Sequence, residues 1–198
     1  IIIAPPPGRN AEFPASDAGI SPILPRAPPG YHRSMSNAAS QPGTAEAVPP
    51  SLEFFARIDV RVGEPVEVGE TSEGVRRVIP IVGGTVSGPG ISGTVLNAGA
   101  DFQLISSETL TELEAKYAVE TDEGERIYIS NLGIRSGDPA DIARLVRGEA
   151  VDPALIYFMT TPRLRSGSPR WRFLDERLFV ARGRRFPDLV SLDVFMIV

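Results

Sequence analysis

The stretch Ala98-Gly99-Ala100-Asp101-Phe102-Gln103-Leu104-Ile105-Ser106 alternates polar and apolar side chains through its centre. Successive side chains of a strand point to opposite faces, so Asp101 and Gln103 share one face while Phe102 and Leu104 share the other. Two readings fit this alternation. Either the polar face meets water, or it lines a closed cavity in which Asp101 works. The choice depends on whether the flanking segments are strands that curl around that face.

On the C-terminal side, Leu110 to Thr121 sets Leu113, Ala115, Tyr117 and Val119 against Glu112, Glu114, Lys116 and Glu120. Asp122-Glu123-Gly124 is a hairpin signal, and Glu125 to Ser130 returns with Ile127 and Ile129 on one face and Tyr128 and Ser130 on the other, ending at Asn131-Leu132-Gly133. On the N-terminal side, Phe54 to Val62 places Ile58, Val60 and Val62 on one face, and Val66 to Val68 and Val75 to Val82 read as further strands. Six glycines between residues 83 and 99 lack the lysine of a P-loop and the G-x-G-x-x-G spacing, so they read as turns and bulges of a curved sheet. Asp138 to Gly148 predicts a single helix, with Asp138 as cap, Pro139 at the first position and Gly148 as stop. Ala154 to Thr161, Trp171 to Ala181 and Leu189 to Val198 complete the strands, with Trp171, Phe173 and Asp175 expected on one face.

Eight to ten short strands and one short helix predict an all-β protein over residues 51–198, a sandwich or a small closed antiparallel β-barrel, the barrel having no exposed edges to protect. Residues 1–50 carry 11 of the 19 prolines and little periodic apolar surface, so they are expected to be disordered. The part before Met35 is expected to be a leader, an appended segment or part of a longer precursor. Arginines crowd the C-terminal third, but a net charge of -5 argues against nucleic-acid binding, which needs a concentrated positive field. The chain has no cysteine, and His32 is its only histidine, so thiolate, Ser-His-Asp and histidine-metal chemistry are not expected in the barrel. A cytoplasmic location, no membrane span, no metal and no cofactor are expected.

Several ordered motifs resemble a known family: Gly99-Ala100-Asp101-Phe102-Gln103, Asp122 to Gly124 with Ile127 to Gly133, Tyr157-Phe158-Met159-Thr160-Thr161-Pro162, and Trp171-Arg172-Phe173-Leu174-Asp175 with Phe179-Val180. From about Leu52 to the C-terminus the chain is similar to the domain of unknown function 3237 family. That resemblance implies a small calycin-like barrel with an internal cavity. Its members occur in bacteria and fungi, mostly without an assigned activity, and some fungal ones look like ring-closing catalysts of secondary metabolism that add a hydroxyl across a C=C bond. Two departures stand out. Asp175 takes a place where the family usually has Asn, and Ser130 one where it often has Arg.

These readings predict a cofactor-independent acid/base enzyme of cyclase or isomerase type, acting on an apolar phenolic or polycyclic metabolite held inside the barrel. Asp101 and Asp175 are the expected catalytic carboxyls, since an apolar cavity raises a carboxyl pKa. Gln103, Tyr128 and Thr160 are expected to orient a substrate oxygen, and Phe158, Trp171 and Phe173 to form flat apolar walls. The alternative is a lipocalin-like carrier without catalysis, and a homodimer is a further expectation.

Overall fold

A computed structural model describes residues 47–198, so the expected disorder over 1–50 and the expected leader lie, up to residue 46, outside the described residues. Ten strands follow in order: β1 (Leu52–Val62), β2 (Val66–Thr71), β3 (Gly74–Gly88), β4 (Ile91–Val95), β5 (Ala100–Ser107), β6 (Leu110–Thr121), β7 (Arg126–Gly137), β8 (Ile156–Ser166), β9 (Phe179–Arg185) and β10 (Leu189–Ile197). The helix α1 (Pro139–Val146) stands between β7 and β8, and 3-10 helices occupy Pro153–Leu155 and Pro169–Glu176.

Hydrogen bonding runs β1-β10-β9-β8-β7-β6 around the wall. Next come β4 and β5, end to end between β6 and β3, each pairing with both neighbours. Strand β3 then pairs back onto β1 and closes the wall. Counting β4 and β5 as one interrupted stave, this is a closed eight-strand antiparallel barrel, with β2 added along the first half of β3. Closure removes the unpaired edges of an open sheet and gives the sequence alternation its meaning. One phase of every strand now faces inward, and Ala56, Ile58, Val60, Ile81, Val119, Ile127, Ile129, Leu164 and Leu192 form the common core.

The closing seam depends on glycine. Val60 of β1 lies opposite Gly84 of β3, whose φ is +138°. A Cβ on Gly84 would stand 2.0 Å from the Asp59 carbonyl oxygen. The glycine-rich run is therefore structural, as its spacing implied.

One end of the barrel is plugged. The strand expected over Trp171 to Ala181 is corrected: residues 169–176 are a 3-10 helix, and only Phe179–Arg185 is strand. Pro169 suits a helix start, and with three residues per turn Trp171 and Leu174 point the same way into the core. The indole Nε1 of Trp171 donates to Glu125 Oε2 at 2.6 Å, and the Phe173 ring meets Phe55 edge-on at 6.4 Å between centroids. At the other end lies α1, capped as predicted by Asp138, whose side chain accepts from the Ala140 N–H at 3.0 Å. Ile142 and Leu145 pack with Val151 in a small second cluster. Arg77 of β3 donates to the Val146 carbonyl at 3.0 Å, tying the helix C-terminus to the open end. Among the described residues, no helix is long and apolar enough to cross a membrane.

Substituting Gly84→Ala forces a positive φ on a side chain that overlaps β1, with an expected loss of about 2–4 kcal/mol. Trp171 is the sole tryptophan, so its fluorescence in a urea titration measures the loss; an unchanged midpoint would refute the account of the seam.

Candidate functional site

The inner face near the open end departs from the apolar rule. Strand β5 places Asp101 and Gln103 there, β6 places Tyr117, β7 places Asn131 and Arg135, and β8 places Phe158 and Thr160. They surround a cavity of about 40 Å³ whose remaining wall is Val60, Val62, Ile81, Leu113, Ala115, Val190 and Leu192. Gly183 of β9 makes room for the Phe158 ring: a Cβ there would lie 2.5 Å from it. The expectation that Asp101 and Gln103 share one face is met, and that face points inward.

Val62, Gln103 and Arg135 also border a second space of about 530 Å³ at the barrel mouth. Its wall includes Arg77 and Ile79 from β3, Leu145 to Gly148 at the end of α1, and Arg185 and Asp188 around the β9–β10 turn. The site is thus a wide vestibule leading to a narrow polar floor. The inner part falls well below the roughly 300–1,000 Å³ of a typical small-molecule pocket. The inner space by itself has room for only a few atoms, and the vestibule is the larger of the two.

The electrostatics of the floor are unusual. Gln103, only 3% exposed, donates from Nε2 to Asp101 Oδ2 at 2.6 Å. The other carboxylate oxygen, Asp101 Oδ1, is shut off from solvent and has no partner among the described residues. Desolvation raises the Asp101 pKa, against the pull of the Gln103 hydrogen bond, the Arg135 and Arg185 charges and, least, the Glu114 backbone N–H. Arg135, also 3% exposed, has its pKa pushed down to about 10 by burial, with Asp101 opposing. Burial, with the Asp101 charge adding to it, raises the Tyr117 hydroxyl. Gln103 Oε1, Tyr117 OH, Asn131 Oδ1, Arg135 Nε and Thr160 Oγ1 are likewise buried without a described partner. Each such group costs about 1–3 kcal/mol when left unmatched, and their convergence on one small space makes it the candidate site.

The structure divides the expected site residues. Asp101, Gln103, Phe158 and Thr160 come together. Tyr128 does not: it is 47% exposed on the outer face of β7, with Ser130 on the same phase. Trp171 and Phe173 sit in the plug at the opposite end. Asp175 is on that same 3-10 helix, its side chain half-exposed and 3.9 Å from Arg165, so it is no partner for Asp101 across the cavity. The alternation of Trp171, Phe173 and Asp175 misled because the segment is helical, where residues three apart coincide. Tyr117, Asn131 and Arg135 were missed. The signal was present: Ile127, Ile129, Asn131, Gly133 and Arg135 continue one inner phase, since β7 runs to Gly137 and does not stop at Gly133.

The described barrel has known counterparts. The family profile "Protein of unknown function (DUF3237)" matches residues 50–197. A UPF0311 protein of Rhodopseudomonas palustris is 48% identical over 151 residues, which span 75% of this chain and 99% of that relative. The crystal structure of a conserved protein of unknown function from the same organism superposes with a TM-score of 0.73 at 44% identity, covering 77% of this chain and 100% of that one. A β-barrel-like protein from Acinetobacter baumannii gives 0.68 at 34% identity, covering 77% and 99%. An enzyme from Penicillium herquei shares the fold at a TM-score of 0.58 and 15% identity, over 78% and 98%. Matched across the whole barrel by profile, sequence and structure, this chain belongs to the DUF3237 family.

Proposed function

We propose that the protein is a cofactor-independent acid/base enzyme of secondary metabolism, of cyclase or isomerase type. Its substrate is a largely apolar, phenolic or polycyclic metabolite whose reacting end enters the open end of the barrel. The observation that carries this reading is the Asp101 carboxyl of a half-buried residue: raised in pKa by desolvation, and facing a cavity with its Oδ1 shut off from solvent and unpartnered among the described residues. A carboxyl so placed exchanges a proton nearer to neutrality than one in water, as a general acid/base needs. We place the protein in the cytoplasm as part of the same reading, since a chain without cysteine gains nothing from an oxidising compartment.

Intramolecular addition of a hydroxyl to a conjugated C=C bond fits the groups present. Asp101 Oδ1 takes the hydroxyl proton as the oxygen bonds to one alkene carbon. The electron pair of the C=C bond moves toward the conjugated carbonyl, whose oxygen faces the Asn131 and Tyr117 side chains. The same carboxyl then returns the proton to the other carbon, so atoms and electrons balance with no water or oxidant consumed. Gln103 holds Oδ2 and aims Oδ1 at the substrate. The vestibule holds the body of the molecule, and such positioning accounts for much of the barrier in ring closure.

A lipocalin-like carrier is the rival reading, favoured by the aliphatic side chains, Val60 to Leu192, that complete the wall around the polar groups. The closure of an ortho-hydroxychalcone to its flavanone, followed by loss of the chalcone absorbance, separates the two. Asp101→Asn should lower kcat at least about 10²-fold with binding kept. Equal turnover by this variant would remove Asp101 from the mechanism, and binding without turnover by the wild type would favour the carrier.

Tyr128→Phe, Phe173→Leu and Asp175→Asn lie outside the cavity, so each should leave kcat/KM within about threefold of wild type, a difference below 1 kcal/mol. A loss of more than tenfold in any of them would contradict the placement of the site.

The raised Asp101 pKa also sets a pH dependence of stability. The neutral carboxyl is the form favoured by folding, so its contribution is fully present below the ordinary aspartate value of 3.8 and is lost as pH rises through the folded-state value. Asp101→Asn should therefore match wild type in Tm at acid pH and exceed it toward neutrality. Parallel Tm curves would refute the buried, destabilising carboxyl.

A further inference from the structure

The vestibule carries a feature that the proton chemistry does not use. Arg77 from β3, Arg135 from β7 and Arg185 at the end of β9 converge on it from three separate strands. Burial of these guanidiniums is expensive, and their mutual repulsion adds to the cost: Arg77 and Arg185 both oppose the charge on Arg135. Arg77 is neutralised by an ion pair with Glu67 and bound to the Val146 carbonyl. Arg147, on the rim, is paired with Glu149 at 2.7 Å. Arg135 and Arg185 have no carboxylate within 4.0 Å among the described residues. Arg185 donates to the backbone carbonyls of Phe186 and Leu189, and the Nε of Arg135 is buried with no partner among the described residues. The acids nearby are Glu64 and Asp188 on the vestibule wall and Asp101 on the floor. Asp101 opposes the charge loss of Arg135, and Asp101 and Asp188 that of Arg185, without pairing with either.

An anionic oxygen group would supply what this arrangement lacks. A planar guanidinium recognises a carboxylate through paired N–H donors, and a buried one gains most from a charged acceptor. We propose that the molecule taken up at the open end carries a carboxylate, seated on Arg135 and flanked by Arg185 at the junction of vestibule and floor. This rests on the reading of the open end as the substrate site, and it adds a charge to the otherwise apolar metabolite. The bound carboxylate would place its neighbouring atoms beside Gln103, which borders both spaces and holds Asp101.

Binding of 2-naphthoate and of its neutral isostere 2-naphthamide to the full chain, by calorimetry at fixed ionic strength, tests the proposal. Wild type should bind the carboxylate at least about tenfold more tightly, a difference of about 1.4 kcal/mol, and added salt should weaken only the carboxylate. Arg135→Gln should erase the preference. Arg185→Gln, at a less buried position, should reduce it and serves where Arg135→Gln does not fold. Equal affinity for the two ligands, a preference that survives both substitutions, or no uptake of naphthoate, benzoate or phosphate by wild type would each overturn the proposal. The outcomes stay separable from those for Asp101. Charge preference without Asp101-dependent turnover refutes only the catalytic reading, and Asp101-dependent turnover without charge preference refutes only this one.

Discussion

Pairing of β1 with β3 is the constraint on which everything else in the molecule depends. Without it the ten strands form an open curved sheet with two unpaired edges and an apolar face exposed to water. With it, Ile58, Val60 and their counterparts enclose one another, and the inward phase of each strand is removed from solvent at about 25 cal/mol per Å² of apolar surface. The seam requires two backbones to approach where a side chain would collide, which is why Gly84 stands opposite Val60.

Closure also makes polar residues at the inward phase costly. At the plugged end the cost is avoided: Trp171 finds Glu125, the buried Thr121 hydroxyl accepts from the Glu125 N–H, and most of the surrounding interior is aliphatic and aromatic. Toward the mouth the same wall carries Asp101, Gln103, Tyr117, Asn131, Arg135 and Thr160, each with a buried atom left unmatched among the described residues. A barrel of this size gains stability from a filled apolar interior, so a polar floor at one end only is a departure from what folding alone favours. The asymmetry between the two ends, more than any single residue, makes the open end the candidate site.

Much of this was legible beforehand. The alternation of Leu113, Ala115, Tyr117 and Val119, the turn at Gly124 and the cap at Asp138 all correspond to what the backbone does, because each depends on neighbours in sequence. Where the reading failed, a local pattern had two physical solutions. Trp171-Arg172-Phe173-Leu174-Asp175 alternates well enough for a strand, yet following Pro169 it winds into a 3-10 helix that buries Trp171 and Leu174 together. The local pattern ends the strand through Asn131 at Gly133, a common stop signal. Pairing with β8 across Leu132 to Gly137 carries it on, and Gly133 lies against the Thr160 side chain of that partner.

The sequence by itself determined the all-β class, the strand phases and the nearly complete exclusion of thiol and imidazole chemistry from the barrel, since these follow from residue type and a spacing of two. Only the tertiary structure decided which face of each strand is inside, which end of the barrel is open, and that Asp101 shares its cavity with Arg135 and not with Asp175. Those facts depend on pairings between residues far apart in the chain, such as Val60 with Gly84 and Gln103 with Arg77. Such pairings are set by the closure of the whole wall, and no local alternation contains them.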